Sequence, residues 1–415
     1  MVELVIGIFI FGIVITGVLV SMTSSLNMTR QNRNRSIAAN LASQEMDTVR
    51  STNFVDLPLG EVLSTQTIDG VPYTVKRETA WVTAGATSGA CQTISGTDPA
   101  YLSVDVSVTW NNMAGVKAPT ANTVVTPPVG TYGANTGNVA VSVKNAAGLP
   151  VENLAVSLVQ AGETQSTTSD GCAFFGFENV GTYTVSLTGS GYVSDQGVAT
   201  PTQSATVQAG GTTSIQFQYD RAATLNLTLA PTGAAPLPVS PGVPVSLGNT
   251  HILPTGVKVV AGTGTTRTIG SLFPYVDGWE TWAGSCSDAD PEGIKPTGGP
   301  YYVGGSRTAP ISVTPGGTST GTVAMPALTV QTRTTLGAAR AGVAVTATHV
   351  VPNGVSVDPK CTSGEVYSLG TTDASGNKTV GLPYGKWTIS AAGTSTTVVS
   401  TLSPVTTPTP VTISW

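Results

Sequence analysis

The sequence predicts an α+β protein: one long N-terminal helix, a small β head, then three tandem antiparallel β-sandwich modules. Three observations carry this expectation. An apolar run from Leu4 to Val20 continues, free of Pro and Gly after Gly17, as helix-forming sequence to about Arg50. A cleanly alternating segment, "LSVDVSVTW", follows at Leu102–Trp110. A pattern with a period of roughly 100 residues then fills the remainder of the chain.

Length and composition agree with this order. The 415 residues suggest about three or four domains at the usual size. Charged residues are 10% of the chain, against about 25% in an average globular protein, while Thr, Ser, Gly, Val and Ala are abundant. That balance suits extracellular β modules whose faces are solvated by hydroxyls. Phosphate binding needs a concentrated basic face, and with only 18 Lys and Arg and a net charge of -5 nucleic acid is not an expected main partner.

The helix spans residues 1–52 and would be about 75 Å long. Its first part is apolar enough for a bilayer, yet carries one acid, Glu3, near its start. A secretory signal peptide needs a basic segment ahead of the run, and none is present. Asn27 to Arg35 is polar almost all round, which a lone head is not expected to cover. Ala38, Leu41, Ala42, Met46 and Val49 then form a narrow seam at helical spacing, the face expected to pack on the head.

"MVELVIGIFIFGIVITGVLV", its polar helical extension and the β head that follows together resemble the N-terminal region of type IV pilins and pseudopilins. The resemblance covers about the first fifty residues and extends weakly to Trp110. It implies a leader cut by a peptidase and a glutamate at the fifth mature position. Glu3 stands third, which implies two further residues and a leader ahead of Met1; a lost basic leader would also explain why Arg30, Arg33 and Arg35 all follow the apolar run. By the same resemblance Glu3 pairs with the N-terminal amine of a neighbouring subunit inside the filament core, with Leu4, Ile8, Phe9, Phe11 and Ile15 packing between helices. The alternative is a simple anchor with Glu3 at the headgroup level. No proline interrupts the helix near residue 20, where many pilins have one, leaving Gly7, Gly12 and Gly17 as its weak points.

The pilin-like head is expected over residues 53–118, with Leu102, Val104, Val106, Val108 and Trp110 facing the helix seam, and 119–137 as a linker. Modules follow at 138–220, 221–326 and 327–415. "NAAGLPVENLAVSLV" with "TSDGCAFFGFENVGTYTVSL", and again "TDASGNKTVGLPYGKWTIS", resemble the carboxypeptidase regulatory-like or Cna B-type sandwich. Some relatives carry a Lys–Asn isopeptide bond assisted by an acid; Lys144 and Glu178 lie near plausible places, but no asparagine completes the set.

Chemistry-bearing residues are sparse. His251 and His349 are the only histidines and neither has metal-ligand neighbours, so both are expected to be ordinary strand or loop residues and no enzyme or resident cofactor is expected. Asp288, Asp290 and Glu292 alternate in one loop as a calcium candidate, against the plainer reading of a solvated acidic loop. Tyr275, Trp279 and Trp282, with Tyr301 and Tyr302, form either an aromatic surface for sugar or protein, or sandwich core. Cys91, Cys172, Cys286 and Cys361 suit disulfides in an exported chain; three pairings are possible, of which Cys91–Cys172 with Cys286–Cys361 would join neighbouring modules.

The function these features suggest is a structural subunit of a bacterial surface filament. Its partners are copies of itself or other pilins, the inner membrane before assembly, the assembly machinery, and a glycan or protein ligand of the head. A membrane-anchored binding protein and a pseudopilin of a secretion or DNA-uptake machine are the alternatives.

Overall fold

The computed structural model describes residues 2–83, 91, 100–113, 115–127, 135–254, 256–285, 291, 309–350, 365–400 and 408–415. The chain divides into two compact units. One comprises Met1–Val143, Pro150–Leu187 and Thr202–Phe217; the other comprises Lys144–Leu149, Thr188–Pro201 and Gln218–Trp415.

In the first unit a single helix, α1, runs Val2–Ser51, unbroken through Gly7, Gly12 and Gly17. Four strands follow: β1 (Gly60–Ile68), β2 (Val71–Thr83), β3 (Ala100–Trp110) and β4 (Thr120–Val125). They form an antiparallel sheet in the order β1-β2-β3-β4. Apolar residues of β3 alternate because one face is covered and the other is wet. Leu102, Val104, Val106, Val108 and Trp110 are buried, in one core with Ala38, Leu41, Ala42, Met46 and Val49 of α1. Thr120–Val125, which the sequence places in the linker 119–137, is instead the edge strand β4. Only alternate residues along it are half-buried, and "TANTVV" offers almost no apolar contrast by which to recognise them.

The same unit contains β5 (Thr136–Lys144), β6 (Ala155–Leu158), β7 (Glu163–Ser166), β8 (Cys172–Asn179), β9 (Gly181–Thr188) and, beyond β10 (Tyr192–Ser194), β11 (Thr202–Val207) and β12 (Thr212–Arg221). The sheet β11-β9-β6-β7 faces one holding β12-β5-β8. A bulge interrupts the β5–β8 register between Gly137 and Val139. The buried Asn138 fills it, accepting from Phe177 N–H at 3.1 Å and donating to Thr212 Oγ1 at 3.2 Å. Bulges re-aim side chains, and here Phe177 joins an aromatic cluster with Phe54, Trp81 and Phe174, whose centroids lie 4.6–6.1 Å apart. Gly176 allows this approach: a Cβ there would sit 3.2 Å from Trp81 Cζ2. Cys91 and Cys172 form a disulfide across the same junction. Cys286 and Cys361 lie outside the described residues.

In the second unit β10 pairs with the end of β12, Val193 opposite Asp220. Six strands follow: β13 (Ala223–Pro231), β14 (Val245–Gly248), β15 (Val257–Val260), β16 (Thr266–Leu272), β17 (Glu280–Ala283) and β18 (Thr318–Met325). Then come β19 (Ala327–Arg333), β20 (Ala344–His349), β21 (Val366–Thr371), β22 (Asn377–Gly381), β23 (Gly385–Ala391), β24 (Thr394–Ser400) and β25 (Thr409–Ser414). The sheets are β16-β13-β18 with β15-β14-β17, and β22-β19-β25 with β21-β20-β23-β24. One continuous apolar core, from Leu225 to Ile413, serves both pairs.

These modules are not wholly antiparallel, contrary to the expectation from the sequence. β13 pairs with β18 in parallel, and so does β19 with β25. Parallel neighbours need a long crossover. Each module supplies it with its intervening strands: β14, β15 and β17, or β20, β21, β23 and β24, form the second sheet, while β16 or β22 pairs on the other side of the first strand before the last strand returns beside it.

Candidate assembly surface

The two halves of α1 have different surroundings. From Ile6 to Met28 its large apolar side chains are exposed all round, Phe9 by 70% and Phe11 by 65%, with Ile8 and Ile15 also open. The side chains of Glu3 and Leu4 lie outside the described residues. A helix hydrophobic on every side needs lipid or protein around it, since isolated soluble domains rarely expose continuous apolar patches above a few hundred Å². Thr16, the clear polar interruption, needs no outside partner: its hydroxyl donates to the Gly12 carbonyl at 2.9 Å. By length and hydropathy the helix is able to cross a membrane.

The second half is clamped to the sheet. Inward on β2, at a position where Tyr73, Val75, Thr79 and Trp81 are its buried neighbours, Arg77 pairs with Glu45 of α1 at 2.9 Å; their side chains are 10% and 23% exposed. A charged pair so enclosed is retained only when geometry and bonding compensate desolvation. The head also reaches further along the helix than the sequence suggests. Trp110 Nε1 donates to Gln31 at 3.1 Å, Tyr73 Oη to Asn34 at 3.1 Å, and Gln31 Nε2 to the Asn112 carbonyl at 2.6 Å. Arg33 pairs with Asp69 at the β1–β2 turn. One side of the polar collar is thus covered, because aromatic residues at the sheet rim carry polar tips that polar helix residues satisfy. Arg30 and Arg35 remain exposed.

The remaining candidates separate. Tyr275 and Trp279 are buried in the sandwich core, and Trp282 is buried opposite Ser246 on the other face of its sheet, so none of the three is an open aromatic surface; Tyr301 and Tyr302 lie outside the described residues, as do Asp288, Asp290 and Glu292. His251 is exposed beside the Tyr275 ring, while His349 is buried against Trp387. Among the described residues no group of three or more His, Cys, Asp or Glu is placed to hold a metal. The register sets Glu178 opposite Gly137, seven residues before Lys144 on β5 and therefore roughly 23 Å from it along the strand. That separation does not bring the two together for an isopeptide bond.

Glu178 has a different consequence. Burial first, and then the charge of Glu163 and a hydrogen bond with it, push its carboxyl up to about 7 from 4.5. The native state then holds more protons than the unfolded chain between those values, so the contribution of Glu178 to stability is greatest below pH 4.5 and falls as pH rises towards 7. Replacing Glu178 with Gln is expected to remove that decline. Denaturant unfolding of wild type and variant at pH 5 and pH 7.5 measures it, and an equal pH slope in both would be the contrary result.

No protein-family model matches the chain, and no curated protein matches it. Solved structures give low-scoring likenesses. The Bacillus anthracis TIE protein is similar at 12% identity over 86% of this chain and 73% of its own, with a TM-score of 0.21. GBS52, the minor pilin of the gram-positive pathogen Streptococcus agalactiae, is 12% identical over 46% of this chain and 95% of its own, TM-score 0.20. BcpA, the major pilin subunit of Bacillus cereus, is 10% identical over 68% and 99%, TM-score 0.19. Scores of this size establish no shared architecture, and function is read below from the chain's own geometry.

Proposed function

We propose that this chain is a non-enzymatic structural subunit of a type IV pilus-like surface filament. The observation that carries the proposal is the division of α1. Its second half is packed and hydrogen-bonded to a four-stranded sheet, whereas its first half is apolar on every side and continuous with it. A simple anchor needs only the apolar half. A helix that is both membrane-competent and rigidly joined to a head positions that head at a fixed distance and angle when helices bundle.

In this reading the helix waits in the membrane, then transfers its apolar surface from lipid to neighbouring helices, while the sheet and the β modules lie outside the bundle for display or adhesion. Burying one Phe or Ile side chain contributes roughly 1.5–3 kcal/mol relative to water. The competing environment here is lipid, so close packing and the pairing of Glu3 must supply the preference for the filament.

The test is Glu3→Gln. It removes a charge from the apolar end, so membrane insertion should be retained or improved and both β units should stay folded. Filaments recovered by shearing should fall sharply, with the chain accumulating in membranes. Undiminished filaments from the variant would remove Glu3 from the mechanism, and a wild-type chain found only in membranes would favour the anchored binding protein.

A further inference from the structure

The second unit contains a pocket of about 320 Å³ that the filament reading does not use. Its walls come from the β10–β11 loop (Asp195, Gln196, Gly197), from Ile252, from β15 (Val257, Lys258, Val259) and from Ser271, Phe273 and Trp279. The register explains how a lysine comes to be there. Lys258 lies opposite Leu247, and Val260 opposite Val245. Directly opposed residues share a face of the sheet; Leu247 and Val245 are fully buried in the core, and Val260 packs against it. Lys258 therefore points to the core side of an edge strand, at the rim where Phe273 and Trp279 close the interior.

Its surroundings are fixed without using its charge. Gln196 donates to Asp195 Oδ2 at 3.0 Å and to the His251 carbonyl at 2.9 Å, and accepts from Leu253 N–H at 2.9 Å. Those bonds tie the loop carrying Gly197 to the β14–β15 connection and engage the Asp195 carboxylate of the pocket wall. Gly197 leaves the space beside the amine open: its φ is +74°, and a Cβ there would sit 3.3 Å from the Ser271 carbonyl and 3.7 Å from Lys258 Nζ. No ion pair of Lys258 is formed among the described residues. Its amine is held below the ordinary lysine value, and the cause is loss of water around it. A half-dehydrated cation without a counter-charge among the described residues, in a pocket with both polar and apolar walls, is a site whose cost a ligand anion would offset. The volume is at the small end of the roughly 300–1,000 Å³ range of small-molecule sites.

We propose that this pocket binds a small organic monocarboxylate, its carboxylate paired with Lys258 and its apolar body against Ile252, Phe273 and Trp279. The competing role for an inward lysine on an edge strand is to block pairing with another chain, and the experiment separates the two.

The full-length chain in detergent micelles is lightly acylated with an activated ester, and the extent at each lysine is read by peptide mass spectrometry. The probes are benzoate, its neutral analogue benzamide, and glucuronate. Benzoate at four times its Kd is expected to slow acylation of Lys258 about fivefold by mass action, with Lys144 and Lys386 unaffected and benzamide without effect. Saturation-transfer NMR should show benzoate contacting wild type and not Lys258→Met, whose unfolding temperature should be no lower than wild type. Protection by benzamide as well, or none by benzoate, overturns the proposal, and self-association of Lys258→Met without protection of wild type assigns Lys258 to edge blocking. Protection by glucuronate alone overturns the apolar body and leaves an acidic sugar as the ligand.

Discussion

Replacing Ile13 with Lys should leave both β units folded and take the chain out of filaments. Ile13 lies midway along the apolar half of α1, is 58% exposed and touches none of the head core. A lysine at the centre of a membrane helix costs about 2.5–3.5 kcal/mol, and in a bundle core it would have to find an anion. The one acid of the run, Glu3, is ten residues away, about 15 Å along the axis, and is already committed in the proposed mechanism. Circular dichroism of the purified variant should match wild type, since the sheet and sandwiches make no use of Ile13. Sheared fractions should contain little of it, on the order of a tenth of wild type or less for a loss above about 1.4 kcal/mol. Membrane fractions must be measured beside them, because the same cation weakens insertion. Ile13→Ala provides the comparison: it stays apolar, so its membrane level should hold while filament yield drops modestly. Normal filaments from the lysine variant would mean that this surface is not buried in the assembled state.

The features legible in the sequence were those with one covered face. Ala38, Leu41, Ala42, Met46 and Val49 repeat at helical spacing because a single stripe of α1 meets the sheet, and all five are buried. Leu102 to Trp110 alternate because β3 lies centrally and is covered on one side. Where that asymmetry fades, so does the signal. β4 and most of β1 are edge strands with hydroxyl or amide residues on both faces, and "TANTVV" reads as linker. Strand direction is invisible for another reason: alternation records which face is buried and not which neighbour lies alongside, so the parallel β13–β18 and β19–β25 pairs leave no trace. Polar side chains that bond across the core are hardest. Arg77 interrupts the inward row Tyr73, Val75, Thr79, Trp81, and only its match to Glu45, in the helical half that packs on the sheet, hints that it belongs there. Gln31 and Asn34 give no periodic signal, since they join the interface through their tips. In the candidate site the exposed run was plain from composition, whereas Lys258 looks like an ordinary strand lysine until its register with Leu247 is known.

Replacing Cys91 and Cys172 together with Ser should lower the stability of the first unit by about 4.5 kcal/mol while the second unit unfolds as before. The disulfide closes a loop with a sequence separation of 81, and in the chain-entropy account the gain grows with the logarithm of loop length, which gives that figure at this separation. The loss should fall almost wholly on the unfolded state, because the native junction has independent support. Trp81 packs on Phe174 at 4.6 Å, Phe177 is turned towards it by the β8 bulge, and Ser169 donates to Glu78 at 3.0 Å. The variant is therefore expected to fold to the same structure, with unchanged aromatic circular dichroism, and to unfold at lower denaturant with a larger m-value, because its unfolded chain exposes more surface once the crosslink is gone. Calorimetry under oxidising and reducing conditions gives a second measure and should show one transition moving and the other still, since the two apolar cores are separate. A drop below about 1 kcal/mol would mean that aromatic packing already restricts the unfolded chain at this junction. Loss of the aromatic signal would mean that the bond, and not packing, holds the sheet of the head to the first sandwich.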